Sequence, residues 1–167
     1  MTWDLGLSVR EAVQSLHDLL PVDGEQIHHR GFYLARLSGS ETYTVTGSGE
    51  EVSVAPSAAV HRAFTELRRV MYKPGLGSWF SVLMVVAADG HARTEFNYDQ
   101  EPDIGVPAGG IAYLTDLHTY PIDEDKQPQW LKAKVAQGIA DLHKYGEKSY
   151  PRWLKQMISE GNKPSWL

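Results

Sequence analysis

Residues 79–103, WFSVLMVVAADGHARTEFNYDQEPD, decide how the rest of the chain is read. The apolar run 79–87 meets Asp89-Gly90, where glycine tolerates positive φ, and 91–98 returns beside it as the second strand of a β-hairpin. Phe96 and Tyr98 share strand parity, so both are expected on one face, with Glu95, Asn97 and Asp99 on the other. Beyond the hairpin come Asp99, Glu101 and Asp103 with no base between them. This stretch reads as a rigid sheet that presents a charged loop, and it contains no evident catalytic set.

Working toward the N-terminus, Ser57 to Met71 has Val60, Ala63, Phe64, Leu67 and Met71 at helical spacing, with Arg62, Arg68 and Arg69 mostly off that stripe. Residues 27–37 and 41–45 predict two strands around a Ser38-Gly39-Ser40 turn, and 50–54 predicts a short third strand or an edge. Residues 8–20 predict a helix ending at Pro21, with Ser8 and Glu11 at capping-box spacing and Val9, Ala12, Val13, Leu16, Leu19 and Leu20 on one face. Toward the C-terminus, Gly105, Pro107, Gly109 and Gly110 mark a loop, and 111–120 reads as a short helix or irregular structure. Residues 124–144 and 149–160 read as helices that begin near Pro128 and Pro151, in the first-turn proline pattern. Helices and strands do not alternate as βαβ units. The predicted class is therefore α+β: an antiparallel β-sheet with an N-terminal helix, a mid-chain helix and a C-terminal helical segment packed against it.

A chain of 167 residues with 42% hydrophobic content predicts one domain over 1–167, with 133–167 as a C-terminal helical extension. No run approaches the roughly 18 apolar residues of a membrane helix, and the N-terminus lacks the basic-then-apolar order of a secretory signal. The expectation is no membrane partner. The absence of cysteine excludes disulfides and thiol catalysis and is compatible with a reducing cytoplasm.

Sixteen Lys and Arg against 21 Asp and Glu give a net charge of -5, which argues against direct nucleic-acid binding. Residues 94–125 hold Glu95, Asp99, Glu101, Asp103, Asp116, Asp123, Glu124 and Asp125 and no lysine or arginine. The stretch after it carries Lys126, Lys132, Lys134, Lys144, Lys148, Arg152, Lys155 and Lys163. Such a block either steers a basic partner or folds against the chain's own basic helices.

Seven histidines invite a search for metal ligands. His28 and His29 are adjacent, so on a strand they face opposite ways, and no His-Glu-x-x-His pattern exists. Gly47-Ser48-Gly49 lacks the lysine of a phosphate loop, and Gly109-Gly110 lacks the dinucleotide fingerprint. Asp99, Glu101 and Asp103 alternate and would share a face in an extended chain, the arrangement a carboxylate-dependent hydrolase needs, but Pro102 interrupts it. The expectation is no enzyme, no cofactor and no metal. Trp130 and Trp153 are read as helix anchors, with partner contact as the alternative.

The helix with Phe64-x-x-Leu67-Arg68, then Trp79, the apolar strand, Asp89-Gly90 and Phe96-Asn97-Tyr98-Asp99 resemble the YezG-like immunity family, formerly a domain of unknown function (DUF600). Leu117-x-x-Tyr120-Pro121-x-Asp123 followed by Pro128-x-Trp130 resembles that family's C-terminal phrase, with Ile122 where the family carries arginine. The resemblance covers roughly residues 3–132.

It implies a cytoplasmic antitoxin of bacterial polymorphic toxin systems, an immunity protein that binds and neutralises a cognate secreted toxin domain, often a basic nuclease. The toxin-binding candidates are Tyr98, Asp99, Glu101, Asp103, Asp123, Glu124 and Asp125. The other functional readings are a small carboxylate-dependent hydrolase and a non-catalytic interaction module of another bacterial assembly.

Overall fold

The computed structural model describes residues 2–103, 105 and 108–167, so Pro107 of the expected loop lies outside the described residues. The fold is α+β, as expected, and the chain divides into two compact units. Unit 1 comprises Met1–Tyr33, Ser38–Lys73 and Ser78–Pro102, and unit 2 comprises Leu34–Leu37, Pro74–Gly77 and Asp103–Leu167.

Unit 1 holds helix α1 (Thr2–His17), strands β1 (Gly24–Tyr33), β2 (Ser38–Thr46) and β3 (Glu51–Ser53), helix α2 (Ala58–Val70) and strands β4 (Ser81–Ala87) and β5 (Ala92–Asn97). The five strands form one sheet in the order β3-β2-β1-β4-β5, and every neighbouring pair is antiparallel. The β4–β5 hairpin turns where the sequence predicts: Gly90 has φ 88°, and the Asp89 carboxylate accepts the His91 N–H at 3.0 Å. Helix α2 begins as expected, with Ser57 Oγ accepting the Val60 N–H at 3.3 Å.

The core of unit 1 lies between the two helices and one face of the sheet. Leu16, Ile27, Phe64, Leu67, Trp79, Met84 and Val86 are fully enclosed there, and each such large apolar side chain contributes roughly 1.5–3 kcal/mol. Arg68 belongs to this buried side of α2 and not to its exposed face. It is 2% exposed, its Nε donates to the Trp79 carbonyl at 2.7 Å, and Ser78 Oγ donates to the Arg68 carbonyl at 2.8 Å. These bonds tie the end of α2 to the start of the hairpin, because a buried guanidinium needs acceptors that water no longer supplies.

Two predicted boundaries move. Ser8 is not a helix cap: α1 begins at Thr2, and Ser8 is 5% exposed in its interior. Ser38-Gly39-Ser40 is not a turn but the start of β2, and the chain reverses over Leu34–Leu37, where the Leu34 N–H donates to the Leu37 carbonyl at 2.8 Å. Gly39 sits opposite Phe32, and a Cβ there would fall 2.6 Å from the Phe32 ring, so this glycine makes room for a cross-strand aromatic.

Unit 2 holds helix α3 (Gly110–Thr119), helix α4 (Gln129–Tyr145) and helix α5 (Arg152–Ser159), with single 3-10 turns at Glu124–Lys126 and Gly146–Ser149. Pro128 and Pro151 are N-caps in extended conformation, one position earlier than the first-turn pattern. The predicted 124–144 helix is thus a 3-10 turn, a break at Gln127 and Pro128, and then α4. Helices α3 and α4 meet backbone to backbone. A Cβ on Gly110 would strike the Lys134 carbonyl and the Gly138 backbone, and one on Gly138 would strike Gly110. Leu114, Leu142 and Leu154 form the buried centre. Trp153 stacks on His118 with centroids 4.3 Å apart and donates through Nε1 to Thr115 Oγ1 at 3.0 Å, while Trp130 meets Tyr113 edge to face at 5.4 Å. Both tryptophans anchor helices, as read from the sequence.

Candidate functional site

Unit 1 carries Tyr98, Asp99 and Glu101 on the loop that leaves β5. That loop is built on one side chain. Asn97, the last residue of β5, donates through Nδ2 to Ser81 Oγ at 2.9 Å and to the Gln100 carbonyl at 2.9 Å. Its Oδ1 accepts the Asp99 N–H at 3.2 Å and the Gln100 N–H at 2.8 Å. An amide carries two donors and an acceptor with two lone pairs, so Asn97 supplies both halves of the turn at once.

The consequence is a correction to the parity reading. The strand ends at Asn97 and the chain bends over 98–100, so Tyr98 does not follow Phe96 inward. Phe96 packs against Trp79 with ring centroids 5.4 Å apart, whereas Tyr98 is 41% exposed. Asp99 and Glu101 are exposed, and the bend removes the extended geometry that would have aligned alternate carboxylates. Partial burial of the Tyr98 ring pushes its hydroxyl above the ordinary tyrosine value.

Asp103, Asp123, Glu124 and Asp125 belong to unit 2 and are exposed. Asp103 accepts the Gly105 N–H at 3.1 Å. Asp123 is tied twice: its N–H donates to the Gly75 carbonyl at 2.8 Å, and its carboxylate holds Lys126 Nζ at 2.8 Å. The Asp123 carboxylate in turn holds the Lys126 ammonium above the ordinary lysine value, through the hydrogen bond first and charge second. The first base after the acidic block therefore folds back on it. Ile122, which stands where the family phrase has arginine, lies against Gly77, whose added Cβ would fall 2.5 Å from Ile122 Cγ1.

The histidines do not converge. His28 stacks on Tyr43 at 4.8 Å on one face of the sheet, and His29 stacks on Phe64 at 4.4 Å on the other, as their adjacency on a strand requires. Among the described residues no group of three or more His, Asp or Glu is placed to hold a metal ion. No described helix is long and apolar enough to cross a membrane.

Asn97 is the residue that sequence reasoning passed over. Its signal was available: an asparagine closing a strand, followed by two residues whose N–H groups need acceptors, is an Asx-type turn. The chain matches no protein-family model and no curated protein.

Proposed function

We propose that this chain is an immunity protein that acts in the cytoplasm, binding a secreted bacterial toxin domain there and neutralising it by covering its active site or substrate surface. The observation that carries this reading is the fold of Phe96-Asn97-Tyr98-Asp99, the phrase on which the family resemblance chiefly rests. Phe96 is a core residue, Asn97 fixes the turn, and Tyr98 and Asp99 stand exposed on it. An aromatic ring beside carboxylates on a pre-set turn suits a basic protein partner, because little conformational freedom is lost on binding and the charge speeds encounter. On this reading the chain is not an enzyme and needs no cofactor. The carboxylates act as steering and ion-pair groups, and Tyr98 acts as the anchor.

The experiment is co-expression and binding with the toxin domain encoded beside this gene, at several salt concentrations. Growth rescue and stoichiometric binding that weakens with salt are expected, with a further loss when Asp99, Glu101 and Asp103 are changed to serine. An active, folded toxin that neither binds nor is neutralised would remove the reading for that pair. Hydrolysis of phosphodiester or glycoside substrates by the purified chain would favour the hydrolase alternative instead.

A further inference from the structure

The sheet of unit 1 has edges at β3 and β5. Strand β3 is three residues long, and so short an edge offers little to an incoming chain. Strand β5 is six residues, ARTEFN, without proline. Its pairing with β4 sets which backbone groups remain. The Ala87 N–H donates to the His91 carbonyl at 2.8 Å, and Val85 pairs with Arg93, Leu83 with Glu95 and Ser81 with Asn97. Alternation in an antiparallel ladder then turns the N–H and C=O of Ala92, Thr94 and Phe96 away from β4. Among the described residues no backbone bond closes that outer row. The sequence of this edge is also acidic on balance: Asp89, Glu95, Asp99 and Glu101 stand on or next to β5 in the chain, against Arg93, whose Nε lies 4.0 Å from Glu95, and His91, whose Nδ1 lies 3.0 Å from Asp89.

We infer that β5 accepts an added strand from a protein partner, an extended segment that carries basic side chains toward Glu95, Asp99 and Glu101. The main-chain row of Thr94 and Phe96 supplies affinity, and the acidic flank selects the sign of the partner's charge. On the immunity reading, which identifies the partner and is deepened here, the segment belongs to the toxin domain.

The edge itself is tested without the toxin, by amide hydrogen exchange with blocked peptides that alternate lysine with valine or glutamate with valine. The lysine peptide is expected to slow exchange at Thr94 and Phe96 and to bind on the order of tenfold more tightly than the glutamate peptide. Equal binding of the two peptides, or protection absent from Thr94 and Phe96, overturns the inference. Protection of the same amides that rises with concentration in the free protein assigns the edge to a second copy and also overturns it.

The toxin arm uses Thr94→Pro, which removes an outward N–H and leaves the β4 ladder whole. Loss of toxin binding with an unchanged melting temperature supports strand addition, and unchanged binding overturns it for the toxin. Should the variant unfold, exchange in the wild-type complex decides instead: slowed exchange at Thr94 and Phe96 supports strand addition, and unchanged exchange there overturns it. A toxin that does not bind the wild-type chain counts against the immunity reading, while the peptides still decide the edge.

Discussion

His29 Nε2 lies 2.9 Å from the Tyr33 hydroxyl, and its Nδ1 lies 2.8 Å from Thr42 Oγ1, with the ring fully buried against Phe64. A neutral imidazole satisfies both partners, donating through one nitrogen and accepting through the other. Burial lowers its pKa from 6.5 to about 4. The unfolded chain therefore takes up a proton that the folded one refuses. The stability this represents is whole above pH 6.5 and is lost as pH falls toward 4. Urea unfolding at pH 7 and pH 5 should show a drop of about 2 kcal/mol, growing toward about 3 kcal/mol as pH approaches 4. His29→Gln should flatten that dependence, and an equal drop in the variant would assign it elsewhere.

Arg68→Ala should be among the most damaging changes in unit 1. It strips the Trp79 carbonyl of a buried donor and opens a space beneath α2. The expected loss is about 3 kcal/mol in chemical denaturation. Arg69→Ala, at an exposed residue paired with Glu66, should cost under about 1 kcal/mol.

Two glycine-to-alanine changes should have opposite signs. Gly6 is an exposed residue of α1 with nothing within 4 Å of an added Cβ, so Gly6→Ala should stabilise by about 0.5–1 kcal/mol. Gly138→Ala drives a methyl into the Gly110 backbone and should destabilise by at least about 2 kcal/mol. Thermal melts of both variants check the pair.

Asn97→Ala should loosen the loop while sparing the sheet. The melting temperature should fall modestly, whereas dissociation of a bound partner should quicken, since that side chain makes three hydrogen bonds within the loop and a fourth to Ser81 of β4. Asn97→Asp, which keeps the acceptor for Asp99 and Gln100, should retain more of the binding than alanine. Surface plasmon resonance off-rates distinguish the three proteins.

The hairpin and α2 were legible because each carries two agreeing local signals, an apolar run with Asp89-Gly90 and an apolar stripe behind Ser57. Arg68 was not, because periodicity counts apolar residues, whereas a buried arginine is decided by a carbonyl eleven positions away. Ser8 misled because a serine-to-glutamate spacing recurs inside helices as readily as at their starts. Gly39 misled because turn and cross-strand space favour the same residue. The candidate acids were legible as a block, but the shared face expected for Phe96 and Tyr98 fails because the strand ends between them, at Asn97. For Asp123 the second of the two readings of the acidic block holds, because the 3-10 turn at Glu124–Lys126 brings the lysine three residues on against its carboxylate.

Gly110 and Gly138 leave no slack where α3 crosses α4. Most protein positions drift in sequence because a neighbour can give way, but backbone cannot shrink to admit a side chain. A change at either glycine has no second-site remedy at the other, which is already as small as a residue can be. This crossing should therefore behave as a molecular fossil: any descendant of this chain that keeps the helix pair keeps both residues, however far its surface has diverged.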